Sequence, residues 1–82
     1  MTWQTTHNAL EKNFTFENFA QAVAFVNHVA HIAETLNHHP DLFVHDYNHV
    51  RIRTTTHDQG GITQKDHDLA DRIDRLSTDH RT

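Results

Sequence analysis

The chain has no cysteine, so its 82 residues can form neither a disulfide frame nor a thiolate metal site. That suits a reducing compartment. Proline occurs once, at Pro40, and glycine only as the pair Gly60-Gly61, so long stretches run without a helix breaker. Positive charge is sparse. Seven Lys and Arg stand against eleven Asp and Glu, for a net charge of -4 and a pI of about 6.2, and they form no basic stripe, which argues against a nucleic-acid partner. No apolar run approaches the ~20 residues of a membrane-spanning helix. Met1 is not followed by the basic stretch and apolar core of a signal peptide. The expectation is one domain over residues 1–82, cytoplasmic, with no membrane or nucleic-acid contact. A chain this short buries a modest fraction of its surface, so a partner subunit would help it.

Histidine is abundant, at ten residues. Its unperturbed pKa puts its proton in play near neutrality. His7, His67 and His80 read as solvated surface. The others are placed by periodicity. Residues 3–7 and 10–16 have β character, with Leu10, Phe14 and Phe16 on one parity, Lys12 as the odd member, and a turn at Asn8-Ala9. Residues 17–37 change period: Phe19, Ala20, Val23, Val26, Ala30, Ala33 and Leu36 predict one face of an amphipathic helix. Pro40 is expected to stop it, with His38 in the last turn and His39 extended. Residues 42–47 and 49–56 read as strands around a turn near Tyr47-Asn48. Val50, Ile52 and Thr54 face one way, and Arg51, Arg53 and Thr55 the other. Gly60-Gly61 permits a sharp turn. Thr63 as N-cap and Asp66 at N3 then open a second helix with Leu69, Ala70, Ile73 and Leu76 as its stripe, fraying from Ser77. The order is ββαββα, an α+β two-layer sandwich: a four-stranded antiparallel sheet with two helices on one face.

Chemistry concentrates at Glu34-Thr35-Leu36-Asn37-His38-His39-Pro40. A helix C-terminus favours an imidazolium, and Glu34 one turn back is expected to meet His38 on the same face. A histidine charged near neutrality can deliver a proton to a leaving group. A lone histidine there reads equally well as a helix cap, but a cap needs one histidine, and His39 is the second. His57, expected at the end of the fourth strand, can face the pair. Asp66 can cap its helix and orient a histidine at once, because a carboxylate has several acceptor sites. A zinc site is the rival reading, with poor spacing: adjacent His38 and His39 seldom reach one ion, and His28 and His31 lie at i, i+3.

The ordered run Glu34-x-x-x-His38-His39-Pro40, then Tyr47, His57 and Asp66, resembles the signature of the pterin-4a-carbinolamine dehydratases. Phe14-Thr15-Phe16-Glu17-Asn18-Phe19, Thr55-Thr56-His57-Asp58 before Gly60-Gly61, Thr63-x-x-Asp66 and Trp3 resemble the same family. The likeness covers nearly the whole chain. It departs in three places. The family usually has a short helix before the Trp3 position. Asn37 stands where some members have Asp. The interval from Pro40 to Tyr47 is one residue longer than in many members, which a β-bulge could absorb.

The resemblance implies elimination of water from a 4a-hydroxytetrahydropterin to give the quinonoid dihydropterin, with neither metal nor coenzyme. That reaction recycles the cofactor of aromatic amino-acid hydroxylases. It implies His38 and His57 as the acid–base pair, His39 binding and orienting the pterin, and Glu34 and Asp66 in support. It further implies homodimers or homotetramers with sheets joined edge to edge, and, in some members, a protein-binding role beside transcription factors.

Overall fold

A computed structural model describes residues 2–80, with only the backbone of residues 77–80. The order is β1 (Gln4–Thr6), β2 (Ala9–Thr15), α1 (Phe19–Leu36), β3 (Asp41–His45), β4 (His49–Thr54) and α2 (Gln64–His80), with a short 3-10 helix at His57–Gln59. The four strands form one antiparallel sheet in the order β1-β2-β4-β3. Both helices lie on one face, as the sequence predicts.

Strand alternation sets the two faces. Leu10, Phe14, Val50, Ile52 and Thr54 are buried toward the helices. Glu11 pairs with Arg53, Asn13 with Arg51, and Phe43 with Arg51 on the open face. Phe25, Val29, Leu69 and Ile73 close the core from the helices. Full burial of such side chains stabilises by about 1.5–3 kcal/mol each. Lys12 keeps the core parity and is 12% exposed. It is tolerated because its ammonium bonds Asp74 at 2.8 Å and lies over the rings of Trp3 and Phe14, while Trp3 Nε1 also donates to Asp74.

Several boundaries differ from the sequence reading. The first turn is His7-Asn8, both at positive φ, because a two-residue hairpin loop needs left-handed residues to match strand twist. The third and fourth strands join through Asp46-Tyr47-Asn48. The pairing from Asp41↔Arg53 to His45↔His49 is continuous, so the extra residue before Tyr47 sits in this loop and not in a bulge. Helix α1 begins after Asn18, whose side chain accepts from the Gln21 N–H at 2.9 Å. Its buried residues are Ala22, Phe25, Val29 and Ala33, while Phe19, Ala20 and Ala30 are exposed. The sequence carries two neighbouring apolar stripes on this helix, and packing against Phe14, Phe16 and Val50 selects the one holding Phe25. Helix α2 continues past Ser77 to His80.

Candidate functional site

The helix exit is built by Asn37, not by Pro40. Asn37 is left-handed (φ 52°, ψ 44°), its N–H donates to the Glu34 carbonyl at 3.3 Å, and the His38 N–H donates to the Ala33 carbonyl at 3.0 Å. This pair of bonds is the Schellman closure, favoured at residues that tolerate αL. His38 therefore lies two residues beyond the helix, with its backbone fixed by the closure itself. Asn, like the Asp of some family members, tolerates this left-handed conformation.

From there the two imidazoles diverge. His38 Nε2 lies 2.6 Å from Asp66 Oδ1, at the start of α2. His39 Nε2 lies 2.5 Å from Glu34 Oε2. The sequence paired Glu34 with His38. The structure gives it to His39, because the left-handed turn at Asn37 carries His38 away from its own helix and toward α2. The two pairs differ in burial. The His38 and Asp66 side chains are 12% and 0% exposed, and those of His39 and Glu34 are 55% and 76% exposed. Only the first pair is shielded from solvent screening.

Asp66 accepts four hydrogen bonds. Thr54 Oγ1 and His38 Nε2 reach Oδ1 at 2.6 Å each; Thr56 Oγ1 and the Thr63 N–H reach Oδ2 at 2.7 and 2.9 Å. The Thr63 bond is half of the expected capping box, and the Lys65 N–H donates to Thr63 Oγ1 at 3.3 Å as the other part. Capping and holding a histidine thus coexist. Burial alone would raise the carboxyl pKa, but hydrogen bonds from Thr54, His38, the Thr63 backbone and Thr56 outweigh it and lower it to about 2. Asp66 is an anion near neutrality, so His38 Nε2 must carry the proton between them.

His57 is not at the end of a strand. β4 ends at Thr54, and His57 opens the 3-10 helix that Gly60, left-handed at φ 75°, terminates. Its side chain is exposed and makes no hydrogen bond among the described residues. Thr56, the residue before it, is buried against Asp66, which tethers His57 to the same corner of the fold.

Thr54 and Thr56 were not singled out in the sequence. Their signal was present: the apolar parity Val50, Ile52 continues into two hydroxyls, and buried hydroxyls require partners. Among the described residues, no group of three His, Asp or Glu side chains is placed to hold a metal ion. Other histidines lie elsewhere. His45 and His49 stack on the open face with ring centroids 5.4 Å apart, and both contact Asn13. A depression of about 440 Å³ on that face is lined by Pro40, Asp41, Leu42, Phe43, Arg51 and Arg53, and by none of the site histidines. Tyr47 is exposed at the β3–β4 turn, the opposite end of β3 from Pro40.

Similarity to known proteins coincides with this geometry. Residues 1–76 match the model of the family described as pterin 4 alpha carbinolamine dehydratase. A Sulfurisphaera tokodaii protein provisionally named pterin-4-alpha-carbinolamine dehydratase is 49% identical over 93% of this chain and 81% of its own length. A similarly named Picosynechococcus protein is 46% identical over 90% of this chain and 79% of its own length. A transcriptional coactivator/pterin dehydratase from Brucella melitensis superposes with a TM-score of 0.84 at 33% identity, over 90% of this chain and 80% of that one. A pterin dehydratase-like protein identified as a RuBisCO assembly factor of the alpha-carboxysome gives a TM-score of 0.74 at 26% identity, over 93% of this chain and 89% of that one.

Proposed function

The chain belongs to the pterin-4-alpha-carbinolamine dehydratase family, and from that premise we propose that it is itself a dehydratase, a hydro-lyase acting on a 4a-hydroxytetrahydropterin. The carrying observation is the buried His38–Asp66 pair, in which an ionised carboxylate holds one imidazole nitrogen and leaves the other for proton exchange.

The reaction breaks the C4a–O bond and removes the proton on N5, forming the C4a=N5 bond of the quinonoid dihydropterin and releasing water. One group must protonate the departing hydroxyl and another must accept the N5 proton. Imidazoles exchange protons in both directions near neutrality, and such help is worth ~10²–10⁴-fold. In this reading His38 and His57 are the acid–base pair, and His39, held by Glu34, orients the pterin. Asp66 keeps His38 in place. No coenzyme is required. Self-association into a homodimer or homotetramer, a cytoplasmic location and service to an aromatic amino-acid hydroxylase belong to the same reading. The small core and the exposed edge strand β3, with Phe43 59% exposed, support self-association.

The test follows the decay of 4a-hydroxytetrahydropterin by ultraviolet absorbance in a coupled hydroxylase assay. The wild-type chain should accelerate it, and His38→Ala or His57→Ala should each cost about 10²-fold or more. Wild-type rates in both variants would remove the assigned roles. A second reading, a non-catalytic protein-binding module, is favoured by the fold shared with the RuBisCO assembly factor. It predicts no acceleration by the wild-type chain, with a stable complex recovered instead.

A further inference from the structure

Hydrogen-bond direction around Asp66 can be worked out donor by donor. An ionised carboxylate offers only acceptors, so Thr54 and Thr56 must both donate to it. A threonine hydroxyl has one proton. Thr56 spends its proton on Asp66 Oδ2, so at its 2.8 Å contact with Thr63 it must accept, and Thr63 must donate. Thr63 Oγ1 in turn accepts from the Lys65 N–H. The chain of donors runs one way: Lys65 N–H to Thr63, Thr63 to Thr56, Thr56 to Asp66. Each carboxylate oxygen then has one neutral hydroxyl plus one further donor, the His38 ring on Oδ1 and the Thr63 backbone on Oδ2.

The last donor, His38 Nε2, fixes the histidine. Neutral His38 has its proton on Nε2, so its lone pair lies on Nδ1. That nitrogen has no hydrogen-bond partner among the described residues, and none of their buried side-chain polar atoms is left unpaired. Nδ1 is therefore open to solvent while the rest of the ring is largely buried.

We propose that Thr54 and Thr56 are positioning residues that act through Asp66, pinning one carboxylate oxygen each so that Oδ1 stays aimed at the His38 Nε2 proton, and taking up part of its charge so that Nδ1, presented to the substrate, gives up a proton more readily. The proposal rests on the dehydratase reading for what Nδ1 does, but not for how it is held. The two hydroxyls also share the carboxylate's negative charge. Without them the whole charge falls on His38 and its imidazolium is harder to deprotonate. Thr54 on β4 and Thr56 just beyond it are neutral, and the β4 arginines Arg51 and Arg53 lie on the opposite, open face. Titratable neighbours along the chain are Glu34 and His39, which bond each other, the exposed Asp41, His57 and Asp58, and the exposed Lys65 and His67 on either side of Asp66 on α2.

The experiment is ¹⁵N imidazole NMR of the full chain, with the His38 signals assigned by their loss in His38→Gln, together with the pH profile of kcat/KM. Wild type should show the Nε2–H tautomer once His38 is neutral. In Thr54→Val and Thr56→Val, which keep shape and lose the hydroxyl, the His38 titration should move upward by about one pH unit. The acid limb of the kcat/KM profile should move with it. Thr54→Ser and Thr56→Ser should restore the wild-type midpoint. Either Val variant carries the same test should the other not fold. An unchanged or lowered midpoint in the Val variants, or an Nδ1–H tautomer in wild type, would overturn the proposal. The NMR readout needs no substrate. A wild-type chain without dehydratase activity but with the hydroxyl-dependent shift would therefore refute the function and support the positioning.

Discussion

Asp66 decides what the site can do, because every donor around it requires an acceptor. Asparagine at this position keeps the shape but replaces one acceptor oxygen by an N–H₂, so a threonine hydroxyl must turn to accept or His38 must give up its Nε2 proton. Asp66→Asn should therefore destabilise the fold by about 1–3 kcal/mol, the scale of losing hydrogen bonds to a charged group. It should also let His38 move its proton to Nδ1. Turnover should fall by about 10²-fold or more, as when a catalytic histidine loses the carboxylate that sets its tautomer. Urea unfolding and the coupled assay measure the two effects separately; wild-type turnover in a folded variant would contradict them. His57, marked in the sequence, stands exposed without a hydrogen bond among the described residues; His38, His39, Glu34 and Asp66, which the structure does pair, were legible in the sequence as candidates. Their pairing was not. The reading gave Glu34 to His38 by helical spacing alone. Spacing cannot see that a left-handed residue between them swings His38 onto another helix.

At the scale of elements, the exit of α1 is the piece that aims the site. Asn37 occupies αL with a side chain, at a cost of roughly 1–2 kcal/mol for most residues and less for Asn. Asn37→Ala should lower the stability by about 1 kcal/mol. Asn37→Gly should hold it or raise it slightly, since glycine adopts this conformation freely. Denaturant midpoints with unchanged slopes would measure both. Equal loss in the two variants would show that the Asn37 side chain, not its backbone, does the work. The elements themselves were readable because strand alternation and helical period are strong in β4 and α2. The buried face of α1 was legible in part. Ala33 is buried and Val26 and Leu36 pack against the core as expected, but Phe19, Ala20 and Ala30 are exposed, and Ala22, Phe25 and Val29 are buried instead, with the rings of Phe14 and Phe16 against Phe25.

For the whole molecule, Asp66 links the site to folding. Its pKa falls from 3.8 to about 2 in the folded chain, so the stabilisation it provides is complete well above 3.8 and is lost as pH falls through about 2. The effect is on the order of 2 kcal/mol. Unfolding free energy should drop between pH 5 and pH 2, and the drop should be smaller in Asp66→Asn by about that amount. Parallel curves for the two proteins would contradict the linkage. An antiparallel sheet with both helices on one face followed from the periodic pattern; the strand order β1-β2-β4-β3 did not. Nothing in that pattern told where the two ends of the sheet lie relative to the histidines. The structure puts the His38–Asp66 pair at the α1 exit and the start of α2, and puts the depression beside Phe43 and Arg51 on the open face. The dehydratase reading seats a pterin at the first, and the depression is the rival seat. A crystal structure with an oxidised pterin separates them. The pterin ring should lie within hydrogen-bond distance of His38 Nδ1, with His39 and His57 around it. A pterin seated on the open face beside Phe43 and Arg51, with the His38 corner unchanged, would contradict it.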